Sequence, residues 1–229
     1  MFEAYKDMQT LSRRALQYIA DIIKPGQSIK SIKKTCEEFL LANGADSFWY
    51  WDIGAFIFAG EQTVISISGK EYIAADRMIQ ADDIITIDVS PQAKNVWGDL
   101  ARTIIIENGE VVKETRDIRN SSWRKGLEIL EILHSKLIKA VTPDMTFESL
   151  HEMMNQYIRH CGFRNLDFMG NLGHSIATDK NRRVYIEQGN KSLLSSVPMF
   201  TFEPHISDGR YGYKKENIYY FQGNQLVEL

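Results

Sequence analysis

Four carboxylates border short apolar runs of the sequence, and they fall into two pairs. Asp88 and Asp99 are 11 positions apart, and Glu203 and Glu216 are 13 positions apart. The first member of each pair ends an apolar run, and the second member precedes one. A carboxylate beside a buried strand is costly unless a cation neutralises it. Four that converge would carry a charge of about −4, which two divalent ions of a hydrolytic site would balance.

A histidine in a glycine-bounded segment, His174 within 170–175, is a further candidate. Carboxylate oxygens with one imidazole suit Mn, Fe, Co or Zn. Each residue taken alone has a simpler explanation. An Asp at a strand end shortly before Ser90-Pro91, such as Asp88, is often only a turn residue; Glu203 before Pro is a common surface residue, and a lone histidine is often structural.

The elements that must position these residues recur along the chain. A helix, a Pro turn, a capped second helix and a stopping Gly appear twice, 118 positions apart: Pro25 and Pro143, Ser28 and Thr146, Phe39 and Tyr157, Gly44 and Gly162. The first helix has an apolar face at helical spacing, at Met8, Leu11, Ala15, Ile19 and Ile22. A duplicated unit explains these offsets, and chance similarity of two helical hairpins is the alternative.

β-Branched runs follow each helical pair, and they predict strands. They are 63–67, 84–87 and 103–106 in the first half, then 199–202 and 217–221 in the second half. Turns are predicted at Asn108-Gly109 and Gly223-Asn224. We therefore predict an α+β fold in a single domain, 1–229, with halves of about 1–112 and 113–229.

The composition narrows the class of protein. Hydrophobic residues make up 44% and charged residues 25%, as in ordinary globular proteins. A net charge of −3 argues against nucleic acid or a membrane surface as a partner. Two cysteines without CxxC spacing fit a reducing cytosol, so we predict a cytoplasmic protein.

Five motifs resemble those of the creatinase/aminopeptidase metallopeptidases, closest to the Xaa-Pro peptidase branch. They are the two aspartate segments 83–88 and 97–103, Gly173-His174, the TxEP-like segment 200–204, and the final glutamate segment 215–218. The resemblance implies the pita-bread fold, with two pseudo-symmetric halves around a central antiparallel sheet. It also implies two divalent ions, manganese among the candidates, held by Asp88, Asp99, His174, Glu203 and Glu216. In that family the glutamate matching Glu203 handles the proton of the attacking water.

The sequence departs from the family pattern at substrate-handling positions. Two family histidines correspond to Glu71 and Asn181 here, and Pro204 is followed by His205 instead of Gly. Glu71 is either part of the site or a solvated loop residue. Xaa-Pro peptidases also carry an N-terminal domain, for which we expect no counterpart in 1–229.

We predict a dinuclear metal-dependent hydrolase of a peptide or related C–N bond, similar to Xaa-Pro dipeptidases or aminopeptidases, whose substrate is a small peptide or small amide. A non-peptide amide or amidine hydrolase and a non-catalytic binding protein are the alternatives. If the strand continues through Pro204, His205 faces the site as a proton donor to the leaving amine. If it ends there, His205 faces solvent or a partner in a possible homodimer.

Overall fold

The computed structural model describes residues 2–229, in which two helical pairs each precede seven strands. The first half contains α1 (Phe2–Ile22), α2 (Ile29–Ala42), β1 (Ser47–Phe48), β2 (Ala55–Ala59), β3 (Asp83–Val89), β4 (Pro91–Ala93), β5 (Val96–Trp97), β6 (Leu100–Glu107) and β7 (Glu110–Val111). The second contains α3 (Ser121–Ala140), α4 (Phe147–His160), β8 (Arg164–Asn165), β9 (Ser175–Ile176), β10 (Met199–Phe202), β11 (His205–Ser207), β12 (Gly212–Lys214), β13 (Asn217–Gln222) and β14 (Gln225–Glu228).

Strand pairing is the same in both halves. The larger sheets have the orders β2-β3-β6-β7 and β9-β10-β13-β14, and every pairing in them is antiparallel. The smaller sheets, β1-β4-β5 and β8-β11-β12, correspond in the same way. The repeat read from the helical offsets therefore extends to the strand topology.

The helix boundaries follow the predicted signals. Ser28 and Thr146 cap α2 and α4, since their side chains accept hydrogen bonds from the backbone N–H groups of Ser31 and Ser149. The first helical pair packs against its sheet in one apolar cluster, and the second pair packs in another that also includes Ile84 and Ile105 of the first sheet. The turn at Asn108-Gly109 has positive φ at both residues, 53° and 84°, as the hairpin prediction requires.

One predicted strand is wrong. Residues 63–67 form no strand; a 3₁₀ helix covers Gly60–Val64 and an irregular segment follows. Thr63 explains the difference, because its hydroxyl donates to the Gly60 carbonyl and accepts from the backbone N–H of Gly212. These bonds fix the segment against β12, where local β-propensity is overridden.

The two halves are joined along β6. The Thr103 hydroxyl accepts from the Lys214 N–H at 2.8 Å and donates to the Lys214 carbonyl at 2.9 Å. The backbone N–H of Glu216 donates to the Ala101 carbonyl at 3.0 Å. The Arg102 guanidinium donates to the Glu216 carbonyl at 2.7 Å. Glu216 is thereby held against the strand that follows Asp99. Among the described residues, no helix is both long and apolar enough to cross a membrane.

Candidate metal centre

The two aspartates are fixed by the first half. Asp88 lies in β3, with its backbone in register with Phe56 of β2 and Ala101 of β6. Asp99 precedes β6, and α1 holds its backbone. The buried Gln9 amide donates to the Asp99 carbonyl at 2.8 Å, and its oxygen accepts from the Asp99 N–H at 3.4 Å. The first helix therefore sets the position of one candidate ligand.

His174 is oriented by its own backbone neighbours. Its N–H donates to the Thr201 hydroxyl at 3.0 Å, and its carbonyl accepts from the Thr201 N–H at 2.7 Å. The ring Nδ1 lies 3.1 Å from the Ser175 carbonyl, which can only accept. Nδ1 therefore carries the proton in this contact, and the Nε2 lone pair faces the site, as in metal-binding histidines.

Gly173 allows this arrangement. Its φ is 144°, and a Cβ placed there would lie 2.2 Å from the Thr201 carbonyl oxygen. Only glycine fits both the backbone conformation and the close approach. The glycine next to the candidate histidine thus has a physical reason.

The predicted residues converge on one site from both halves. Ligand atoms of Asp99, His174 and Glu216 all lie within 4.8 Å of one another, and all three residues are buried. His174 Nε2 is 3.3 Å from an oxygen of Asp99 and 3.9 Å from one of Glu203. Asp88 joins the cluster through a shared contact, because Lys214 Nζ lies between Asp88 Oδ2 and Glu203 Oε2.

Burial governs the charges of these groups. It raises the pKa of Asp88, raises that of Asp99 to about 6, and raises that of Glu216 well above its usual range. Repulsion among the carboxylates acts in the same direction. Burial also opposes ionisation of Glu203, but Lys214 and His174 outweigh it and lower its pKa. The cluster therefore favours added positive charge.

Glu216 gives the sharpest test of whether a cation fits. Its side chain is fully buried, and neither carboxylate oxygen has a hydrogen-bond partner. Buried polar atoms without partners are rare in native proteins and call for a missing ion or water. One Glu216 oxygen lies within 4.8 Å of ligand atoms of Asp99 and His174, which offer oxygen and imidazole donors. The residues present therefore fit a divalent cation of the Mn, Fe, Co or Zn type.

Lys214 was missed by sequence reasoning, which found no cation at matching places in the two halves. Its Nζ is 2.5 Å from Asp88 Oδ2 and 3.3 Å from Glu203 Oε2. Burial alone would lower the pKa of Lys214, but Asp88, Glu203 and Glu216 raise it well above its ordinary value. A signal was present, because Lys214 stands two positions before Glu216 and alternate residues of an extended segment share a face.

A cavity of about 260 Å³ opens onto the cluster, with Asp88, Asp99, His174, Glu203, His205 and Lys214 in its wall. Aromatic and apolar side chains form much of the remainder, among them Phe56, Phe58, Ile65 and Tyr185. A mostly apolar cavity with a few convergent polar groups is typical of small-ligand sites.

Arg183 is the second residue that sequence reasoning missed. Its guanidinium carbon lies 4.8 Å from the Trp49 ring centroid, 5.6 Å from that of Tyr50 and 5.5 Å from that of Tyr185. Its Nε is buried without a hydrogen-bond partner, and no ion pair forms to it within residues 2–229. The aromatic rings hold the guanidinium at the cavity wall, where it retains donors for a ligand.

The departures from the family pattern have clear positions. Glu71 and Asn181 are exposed and lie outside the cavity wall. The strand pauses at 203–204 and resumes as β11, so it does not run unbroken through Pro204. His205 is nevertheless buried in the wall, with Nε2 2.8 Å from the Thr63 carbonyl. Burial and the Lys214 charge lower the His205 pKa to about 4.

Comparison with known proteins supplies independent information. The model of metallopeptidase family M24 matches residues 3–222. The chain is 21% identical over 196 residues to the Xaa-Pro dipeptidase of Pyrococcus furiosus, covering 86% of this chain and 51% of that protein. It is 24% identical over 208 residues to methionine aminopeptidase 1b of Plasmodium falciparum, covering 88% and 38%. The chain thus spans about half or less of the length of these relatives.

Solved structures share the architecture. X-Pro aminopeptidase from Thermotoga maritima superposes with a TM-score of 0.80 at 20% identity, over 99% of this chain and 60% of that chain. Prolidase from Pyrococcus furiosus gives a TM-score of 0.80 at 19% identity, over 99% and 62%. The α+β pita-bread fold predicted from the sequence is confirmed.

Proposed function

We propose that this chain, which belongs to metallopeptidase family M24, is a metal-dependent hydrolase of peptide C–N bonds that acts on small peptides of Xaa-Pro type. The observation that supports this most strongly is the Glu216 carboxylate, buried and unpartnered beside Asp99 and His174. In a protein that binds no metal, nothing would offset the free-energy cost of burying this carboxylate. In this proposal, residues 1–229 form a single catalytic domain.

We further propose that two divalent ions, of Mn, Co, Fe or Zn, are held by Asp88, Asp99, His174, Glu203 and Glu216. Bound divalent ions would supply Lewis acidity and lower the pKa of a water molecule enough for attack at neutral pH. Glu203 is the group we assign to proton handling, because its lowered pKa keeps it ionised and able to accept a proton.

Arg183 supports a peptide with a free carboxylate as the substrate. A guanidinium is matched to carboxylates in planar, two-point hydrogen bonding. The distance from the metal ligands to Arg183 is spanned by one cavity, whose apolar wall suits a proline ring or another apolar side chain. A dipeptide can reach both places, because one residue separates its scissile carbonyl, which would lie at the metal ligands, from its terminal carboxylate, which would bind Arg183.

The sequence predicts His205 as a proton donor to the leaving amine, and the proposal retains it there as a hydrogen-bond donor, because a neutral imidazole does not release its N–H proton at neutral pH. Its ring shares the cavity wall with Glu203, and at pH 7 it is neutral because its pKa is about 4. Since the Thr63 carbonyl can only accept, the Nε2 proton is engaged there. Donation to a leaving group therefore requires the substrate to compete with that bond.

The test is hydrolysis by metal-loaded protein of a panel of Xaa-Pro dipeptides, other dipeptides, tripeptides, dipeptide amides and small non-peptide amides or amidines. Release of free proline from Xaa-Pro dipeptides, lost in Glu203→Gln, supports the proposal. Turnover confined to non-peptide amides or amidines would favour the alternative hydrolase. Metal binding without turnover of any of these would favour a non-catalytic binding protein.

Arg183→Met separates substrate recognition from chemistry. We expect KM for dipeptides to rise about tenfold or more, as for loss of a charged hydrogen bond, with little change for dipeptide amides. Arg182→Met is a matched control, because the Arg182 side chain is exposed and faces Asp179. Equal effects of Arg183→Met on both substrate classes would remove carboxylate binding from the proposal.

A further inference from the structure

The two sides of the candidate metal centre differ in charge. On one side, Asp99, His174 and Glu216 converge, and the Glu216 oxygens have no partner. On the other side, Asp88 and Glu203 already share a cation, since Lys214 Nζ lies 2.5 Å from the first carboxylate and 3.3 Å from the second. The protein thus places its own positive charge at one side and leaves the other side uncompensated.

Lys214 is held in this position by its backbone. Its N–H and carbonyl both bond the Thr103 hydroxyl of β6, at 2.8 and 2.9 Å. The side chain is about as buried as its partners, with 18% of its surface exposed against 20% for Asp88 and 16% for Glu203. The ammonium can therefore leave the carboxylates only by rotation of its side chain, while the backbone stays in place.

We propose that Lys214 competes with the second divalent ion for Asp88 and Glu203, so that the two ions bind in sequence and unequally. The first ion binds at Asp99, His174 and Glu216. The second ion binds only by displacing the Lys214 ammonium. This inference rests on the metal site of the proposed function and adds the residue that regulates its occupancy.

The magnitude follows from charge. A unit positive charge within a few ångströms of a divalent ion disfavours that ion by about tenfold or more, even at high effective permittivity. Lys214 also donates a hydrogen bond to Asp88 Oδ2, one of the two oxygens with which Asp88 could bind an ion. Removing the charge while keeping the volume should therefore strengthen the second binding step.

The experiment compares Lys214→Met with wild type and with Lys215→Met. Lys215 is a matched control, because its Nζ pairs with Glu131 at 2.6 Å, away from the cluster. Metal-stripped protein is titrated with Mn²⁺ by calorimetry, and bound metal is counted by elemental analysis after desalting. Lys214→Gln is made in parallel, and circular dichroism checks folding of each protein.

We expect wild type and Lys215→Met to retain one ion after desalting and to bind a second at least about tenfold more weakly. We expect Lys214→Met and Lys214→Gln to retain two. Electron paramagnetic resonance of wild type provides a readout without mutation: the isolated Mn²⁺ signal should rise to one equivalent, and exchange coupling should appear only above it.

The outcomes separate this inference from the proposed function. Two equivalent ions in wild type, or unchanged second-step affinity in both Lys214 variants, would overturn the role of Lys214 and leave the metal site intact. Loss of the first ion in the variants would also overturn it, because Lys214 would then support the metal site. No binding to any folded protein would refute the metal site itself.

Discussion

Substitution of Glu216 by Gln tests the cation requirement most directly. The change keeps the shape of the side chain and removes an ionisable group whose two oxygens are buried without a partner. In metal-free protein, Glu216→Gln should melt at or above the wild-type temperature, because repulsion from Asp99 and Glu203 is relieved. In metal-loaded protein, it should melt lower, because a ligand is lost.

The magnitude can be worked through linkage. At a metal concentration 100 times Kd, binding stabilises the folded state by about 2.7 kcal/mol. For a domain of this size, each kcal/mol moves Tm by about 2–4 °C. Chelation should therefore lower the wild-type Tm by about 5–10 °C. If Glu216→Gln weakens binding about 100-fold, the remaining stabilisation is about 0.4 kcal/mol, or roughly 1 °C.

Scanning calorimetry with and without EDTA measures these shifts, after elemental analysis of the bound metal. Glu107→Gln is the control, because Glu107 is also buried but accepts from the backbone N–H groups of Arg119 and Asn120. It should lose about 2 kcal/mol equally in both conditions. Two results would refute the reasoning: a Tm shift on chelation in Glu216→Gln as large as that of wild type, or no Tm shift in wild-type protein that is shown to have held metal.

Three further predictions concern single residues. Asp99→Asn should become more stable than metal-free wild type as pH rises from 4 to 7, by up to about 3 kcal/mol. The reason is that the Asp99 pKa is about 6 in the folded state and lower in the unfolded state, so ionisation favours unfolding. Urea unfolding at each pH measures the difference in stability, and a difference that does not change with pH would contradict this prediction. The variant must be compared with wild type at each pH, because His205 changes the free energy of unfolding in the opposite direction: its lowered pKa means that stability is lost as pH falls from 6.5 to about 4. His205→Ala should lower kcat about tenfold while retaining metal if the neutral ring hydrogen-bonds the leaving amine, and unchanged kcat would end that role. Gly173→Ala should displace His174 from Thr201 and lower metal affinity at least about tenfold, so calorimetric binding equal to wild type would show that the loop accommodates the methyl group.

The candidate ligands were predictable because their chemistry and their spacing carry the same repeat. Asp88 with Asp99 and Glu203 with Glu216 border apolar runs at equivalent places in the two halves, and the structure brings their sequence segments to one cavity. The helix caps were predictable for a similar reason, since Ser28 and Thr146 act on N–H groups three residues away. The metal-binding roles assigned to the four carboxylates remain predictions.

What escaped prediction depends on contacts between distant parts of the chain. Lys214 was missed because it has no counterpart in the first half, so a search for matched residues overlooks it. Arg183 acquires its setting from Trp49 and Tyr50, more than 130 positions earlier. Thr63 begins a segment of strand-like residues, but its own hydrogen bonds go to Gly60, His205 and Gly212. Periodicity reports none of these contacts.

The shared pairing order of the two seven-strand halves has an evolutionary consequence. One half-length unit supplies only one pair of acidic side chains, and the strand that follows Asp99 is bonded to Glu216 of the other half. An ancestral unit of half this length could assemble such a site only as a homodimer, with the cluster on its twofold axis. Two halves joined in one chain need not obey that symmetry, and Lys214 and His174 have no equivalents in the first half.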